Sequence, residues 1–268
     1  MSRSLRLRRL TLGALLIGAA LLAGCERTPA GRLQLALVPE SIMTDMGTQA
    51  FADMRQQRPL VQHGTTPARV RCVLDRITDQ VAAVYPEARA PAEWQIAVFD
   101  DASPNAFALP GGHVGVHSGL LNVASNNAQL AAVLGHEVAH MLADHGNERM
   151  TQKLGVNAVL LLIGLFADID SAMVFQALGI GAELGITLPF SRAHEREADL
   201  MGLELMAAAG FDPAESVALW RNMARAGGDQ PPEFLSTHPA HDNRIESLQA
   251  HLPAANRRFA DAAIADCQ

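Results

Sequence analysis

The chain has 268 residues; 49% are hydrophobic, 18% charged and 4% aromatic, and the formal net charge is −7. That length and apolar content suffice for one sizeable core and exclude a globally disordered chain. The acidic balance, and the lack of basic residues interleaved with aromatics, exclude nucleic acid as a main partner.

The first residues read as a targeting segment. Arg3, Arg6, Arg8 and Arg9 precede an apolar run from Leu10 to Ala23, which ends in Leu22-Ala23-Gly24-Cys25. A basic start, a short apolar stretch and small residues before a cleavage point are the pattern of a secretory signal. The run is short for a spanning helix of about 20 residues. The Leu-Ala-Gly-Cys ending resembles a bacterial lipobox, which implies cleavage before Cys25, lipidation of its thiol and a lipid anchor in the membrane; an uncleaved N-terminal anchor is the alternative. Residues 1–24 would then be a signal, 25–32 a lipidated tether, 33–253 the main folded domain and 254–268 a C-terminal tail. Loss of four arginines leaves a formal −11. Cys72 and Cys267 remain as an even pair in an oxidising compartment, either bridged or as free thiols.

Leu33, Leu35 and Leu37 alternate as in a strand, and a weakly helical stretch follows with Met43, Met46, Phe51 and Met54. Val70, Val73, Leu74, Ile77, Val81 and Val84 repeat at helical spacing over 67–84. Residues 94–120 predict a small sheet: Trp94, Ile96 and Val98 alternate, and Pro110-Gly111-Gly112 separates two short strands. Asn126 or Asn127 suits an N-cap for a helix to about Asp144. Further helices are expected near 148–165, 172–186, 191–209, 213–226 and 241–250. Leu154–Leu188 is strongly apolar but broken by Asp168, Asp170 and Glu183. It reads as buried helices or as a flap over the site or against the bilayer, and not as a transmembrane span.

Residues 136–140 read His-Glu-Val-Ala-His. On a helix, positions i and i+4 share a face, so His136 and His140 aim at one point, and two imidazoles suit zinc. Glu137 is rotated away and cannot join them as an equivalent ligand; it can take the proton of a water in the open position. A catalytic site of this kind needs a third protein ligand. Glu195, Ala198, Asp199 and Gly202 share a face whose small residues allow close helix contact, so Glu195 is the preferred third ligand and Asp199 would orient a ligand imidazole from behind. His194 is the rival ligand. Glu197 is expected at the surface and His145 in solvent, while His113 and His117 need no metal.

The lipobox, Pro104-Asn105-Ala106-Phe107, His-Glu-Val-Ala-His and Phe190-Ser191-Arg192 leading into Glu195-x-Glu197-Ala198-Asp199 together resemble the M48 family of metallopeptidases over residues 33–250. The likeness is nearest to its periplasmic lipoprotein and outer-membrane quality-control members. It implies Glu195 as third ligand, one Zn2+ per chain, and a late His238-Pro239 pair followed by Arg244. His238 would reach the zinc neighbourhood to gate it or to stabilise an oxyanion, and Arg244 would support the ligands. Asn105, Ala106 and Phe107 would belong to a strand that holds an extended peptide by its edge. The expected fold is α+β, mostly helical, with a small sheet beside the active-site helix. The expected function is cleavage of misfolded or mislocalised envelope proteins, in contact with outer-membrane assembly machinery. The alternative is a periplasmic chaperone or assembly factor with latent protease activity.

Overall fold

The computed structural model describes residues 25–155, 189–226, 233–239 and 243–267. The leader 1–24 and nearly all of Leu154–Leu188 lie outside the described residues, as does the helix expected at 172–186. The chain opens with an antiparallel hairpin, β1 (Cys25–Arg27) and β2 (Leu33–Leu35), in the register Cys25↔Leu35. Most of the segment read as a tether is therefore folded. Helices α1 (Glu40–Gln57), α2 (Thr66–Thr78) and α3 (Val81–Val84) follow.

The sheet consists of β3 (Gln95–Phe99), β4 (Ala106–Leu109) and β5 (His113–His117), in the order β3-β5-β4. β3 lies parallel to β5, and β4 is its antiparallel neighbour. The turn between β4 and β5 needs Gly111 and Gly112, at φ 89° and 84°; a side chain at Gly112 would also meet the carbonyl oxygen of Glu93 at 2.7 Å. Alternate residues feed opposite faces, as the pleat requires. Val98, Ala106, Val114 and Val116 join the main core, whereas Ala97, Phe99, Phe107 and Leu109 pack with Phe51 and Met54 of α1.

A 3-10 turn (Ser118–Asn122) leads to α4 (Asn127–Leu142), which Asn126 caps by accepting from the Gln129 backbone N–H at 2.8 Å. α4 runs through the centre of the core: Leu130, Val133, Leu134 and Val138 are wholly buried, and so are His136, Glu137 and His140. α5 (His145–Leu154), α6 (Arg192–Ala208), α7 (Ala214–Ala226), α8 (Glu233–Thr237) and α9 (Arg244–Asp261) complete the described fold. α6 crosses α4 where Gly202 faces Gly135. A Cβ on Gly202 would stand 2.7 Å from the backbone nitrogen of His136, so glycine is what permits the approach.

α9 continues well past the expected limit near 250 and runs through Pro253. That proline is exposed, while Leu248 and Ala255 hold the helix to the core. The last residues are pinned in turn. Cys267 is bonded to Cys72 of α2, and the Ala265 N–H donates to the Gly210 carbonyl at 3.0 Å. No helix among the described residues is long and apolar enough to cross a membrane.

Candidate metal centre

α4 and α6 meet at their polar residues. His136 Nε2 and His140 Nε2 lie 3.0 Å apart, Glu195 Oε1 is 3.3 Å from His140 Nε2, and Glu195 Oε2 is 3.6 Å from His136 Nε2. His238, at the end of α8, closes the group. Its Nδ1 is 3.2 Å from His136 Nε2 and 3.1 Å from Glu195 Oε1. One ligand atom from each of the four buried residues falls within 4.8 Å of the others. Ligands about 2.0–2.1 Å from a tetrahedral zinc stand about 3.3 Å from one another, so the donor set fits that ion in type and in spacing. His194, the rival ligand, is placed elsewhere: its Nε2 bonds Glu148 Oε2 at 3.0 Å.

Each ligand imidazole is held from behind. His136 Nδ1 lies 3.0 Å from Asp199 Oδ1, and a carboxylate only accepts, so Nδ1 bears the proton and Nε2 offers its lone pair to the centre. Arg244 donates through Nε to Asp199 and through Nη2 to Glu195, each at 2.6 Å, and its guanidinium lies 3.6 Å from the Trp220 ring centroid. Behind His140 stands His145, which is wholly buried rather than solvated. The left-handed Asp144, at φ 53°, turns the chain between α4 and α5 and brings His145 Nδ1 to 2.8 Å from His140 Nδ1. His145 Nε2 in turn lies 3.0 Å from Glu197 Oε2. Glu197 must accept there, so His145 carries its proton on Nε2 and accepts from His140 Nδ1–H. The lone pair of His140 Nε2 is thereby aimed at the centre.

Glu197 is also buried, contrary to the expectation of a surface residue. α6 is covered on that side by the N-terminal hairpin, an element whose docking leaves no periodic trace in α6 itself. Thr28 Oγ1 and Arg32 Nε both donate to Glu197, the latter at 2.6 Å.

The charge states follow from these contacts. Burial alone would raise the Glu195 carboxyl, but the His140, His238 and His136 rings packed against it hold it far below the usual carboxylate range. Burial pushes His140 well below the ordinary imidazole range, and His136 beside it adds to the effect. Burial lowers His145 to about 4 despite its bond to Glu197, so it is neutral near pH 7. Glu137 is raised, chiefly by burial, although His238 and His136 oppose the shift. A buried carboxylate with raised proton affinity suits a general base.

Glu137 also links the centre to the sheet. Its Oε2 accepts from the Ala108 N–H of β4 at 3.1 Å, and its Oε1 stands 3.3 Å from His238 Nε2. β4 is an edge of the sheet; its Ala106 and Phe107 are buried, with the Phe107 ring lying over Gly115, and Asn105, expected in the strand, is buried immediately before it. The arrangement brings together two imidazoles, an ionised carboxylate, a second carboxylate of raised proton affinity and a third imidazole, that of His238, within a few ångströms, beside a strand edge. Such a set can bind a zinc ion and deliver a proton next to it.

A sequence model of peptidase family M48 matches residues 67–252. Mitochondrial metalloendopeptidase OMA1 of Saccharomyces cerevisiae is 40% identical over 175 residues, covering 62% of this chain and 49% of that protein. OMA1 of Schizosaccharomyces pombe is 36% identical over 184 residues, covering 68% and 53%. The beta-barrel assembly-enhancing protease of Yersinia pestis is 28% identical over 264 residues, covering 89% and 51%. The chain thus spans about half the length of these relatives. With the greater part of its length matched, from α2 through the His-Glu-x-x-His helix to α9, this chain belongs to peptidase family M48.

Proposed function

We propose that the chain is a zinc-dependent endopeptidase that cuts misfolded or mislocalised polypeptides of a bacterial envelope. The observation that supports this most is the position of Glu137, which touches β4 through the Ala108 N–H and His238 through its other oxygen. His136, His140 and Glu195 would hold the ion, and their outer partners keep both imidazole lone pairs directed inward. Bound there, zinc supplies Lewis acidity to a carbonyl oxygen and increases the acidity of a water. Glu137 accepts the proton of the attacking water and returns it to the leaving amine. His238 faces both the donor set and Glu137, so it either stabilises the developing oxyanion or masks the centre. An extended peptide laid along the β4 edge would be held by backbone hydrogen bonds, which favours unfolded chains over any one sequence.

The leader and the Leu-Ala-Gly-Cys ending support export, with a lipid on Cys25 and attachment to the outer membrane. One relative's name describes a protease that enhances β-barrel assembly, which supports a role near assembly machinery, while others are named as mitochondrial. A second reading, a chaperone with latent protease activity, draws its support from His238 Nδ1 at the fourth corner of the donor set. Casein digestion decides between them. The endopeptidase reading expects cleavage that a chelator stops and added zinc restores. Delayed aggregation of unfolded substrate without cleavage under any metal condition would favour the chaperone. Cys25→Ser should release the protein from membranes, and its retention after a salt wash would contradict the lipid anchor.

A further inference from the structure

One cation outside the centre reaches two of its three ligands. Arg32, between β1 and β2, donates through Nε to Glu197 at 2.6 Å and through Nη1 and Nη2 to Glu148 at 3.1 and 2.7 Å. Glu197 holds His145, which holds His140. Glu148 holds His194, the residue immediately before Glu195. His194 also sits in the cap of α6: its backbone N–H donates to Ser191 Oγ at 3.2 Å, so fixing its ring fixes the first turn of the helix that presents Glu195. The His145 and His194 rings stack at 4.5 Å with 18° between planes, which couples the two branches. Thr28 gives Glu197 another donor and accepts from the Arg32 N–H at 3.1 Å, locking the hairpin turn to the same carboxylate.

We propose that the N-terminal hairpin is a positioning clasp for the metal centre, in which Arg32 sets the orientation of His140 through Glu197 and His145, and that of Glu195 through Glu148 and His194. The inference rests on the reading of His136, His140 and Glu195 as zinc ligands. Its chemistry is that of outer partners that fix a ligand's tautomer and ring orientation. A guanidinium suits the place because its rigid planar fork gives Nε to Glu197 and both Nη atoms to Glu148, a bidentate geometry that the ammonium of lysine does not reproduce. Arg32 itself touches neither the donor set nor β4, so its effect on the metal must travel through these contacts.

The test measures zinc affinity of the full chain by competition with a chromophoric chelator, well below each variant's melting temperature. The visible spectrum of the cobalt-loaded protein is recorded alongside. Loss of such an outer partner costs about 10–100-fold in metal affinity, and that range is expected for His145→Ala, with roughly the lower end for Arg32→Ala. Both variants should alter the cobalt bands. Val70→Ala, a core truncation away from the centre, is the control for lowered stability and should leave affinity and spectrum unchanged. If His145→Ala does not fold, Arg32→Ala decides alone. Arg32→Ala protein with wild-type affinity and spectrum, or with changes no larger than those of Val70→Ala, would overturn the clasp. A wild-type chain that binds no zinc would overturn the centre itself, a result distinct from zinc held equally well by wild type and Arg32→Ala.

Discussion

The two histidines of the His-Glu-x-x-His helix bring Nε2 to the same donor group but are backed in different ways. His136 leans directly on a carboxylate, Asp199, which is gripped by the buried Arg244 against Trp220. His140 leans on a second histidine, and its carboxylate and arginine stand one and two steps further out, at Glu197 and Arg32. Both chains end in the same order, carboxylate then guanidinium, and both leave Nε2 as the free donor. The short chain lies within the core, with Arg244 only 4% exposed; the long one reaches a hairpin, with Arg32 28% exposed. The buried arm should therefore matter more to stability, and the exposed arm should be the more sensitive to solution conditions.

The largest effect comes from breaking the point at which the arms meet. Purified protein should hold about one zinc per chain, and His136→Ala, His140→Ala or Glu195→Ala should each lose most of it. Elemental analysis checks this, and full occupancy in Glu195→Ala would mean that another group is the third ligand.

Next, the arms can be compared directly by urea unfolding. Arg244→Ala leaves Glu195 and Asp199 buried without their cation and should cost about 3–5 kcal/mol. Arg32→Ala removes a partly solvated partner from carboxylates that retain histidine donors, and should cost nearer 1 kcal/mol. Equal losses would contradict the contrast between a buried and a surface arm.

The pH response sharpens the outer arm. Burial alone would raise Glu148 and Glu197, yet hydrogen bonds from His194, His145, Thr28 and Arg32 bring both down to about 2. A carboxyl lowered in the fold adds stability that is complete above its unfolded value near 4.5 and is lost as pH falls toward 2. Without Arg32 the two values rise and this contribution shrinks. Acid unfolding of Arg32→Ala, followed by circular dichroism, should thus begin at a higher pH than in wild type.

The smallest effect lies at the junction of α4 and α5. Burial lifts Asp144 to about 7, aided by Glu26 and Glu40. Its ionisation opposes folding, so the cost is absent below pH 4 and complete above pH 7. Asp144→Asn keeps the left-handed turn and a group that accepts from Asn147. It should raise the melting temperature by about 2–4 °C at pH 8, the equivalent of ~1 kcal/mol, and change nothing at pH 4.

The buried arm was legible in the sequence because helical spacing alone links Glu195 to Asp199 and sets Ala198 and Gly202 beside them. Arg244 and His238 lie far along the chain, and only the family resemblance pointed to them. The outer arm was hidden for two physical reasons. Glu197 lies on a different face of α6 from Glu195, and that face is buried only because a hairpin docks on it. His145 follows a left-handed Asp144, so extending the α4 periodicity misplaces its ring. A histidine and a glutamate in amphipathic context read as solvated unless something covers them, and here the cover came from residues read as a tether. Helix limits were legible where a cap marked them, as at Asn126, and not at Pro253, where an exposed proline lies within a continuing helix.

Both arms converge on the donor set beside Glu137, for which we propose the role of proton acceptor without a bond to the metal. The most direct test is to measure zinc content and casein turnover together in Glu137→Gln. The amide cannot take a proton, so turnover should fall by about 10²–10⁴-fold, the contribution of a positioned base, while the zinc content stays that of wild type. Wild-type turnover with zinc in place would contradict the assignment of Glu137 as the base.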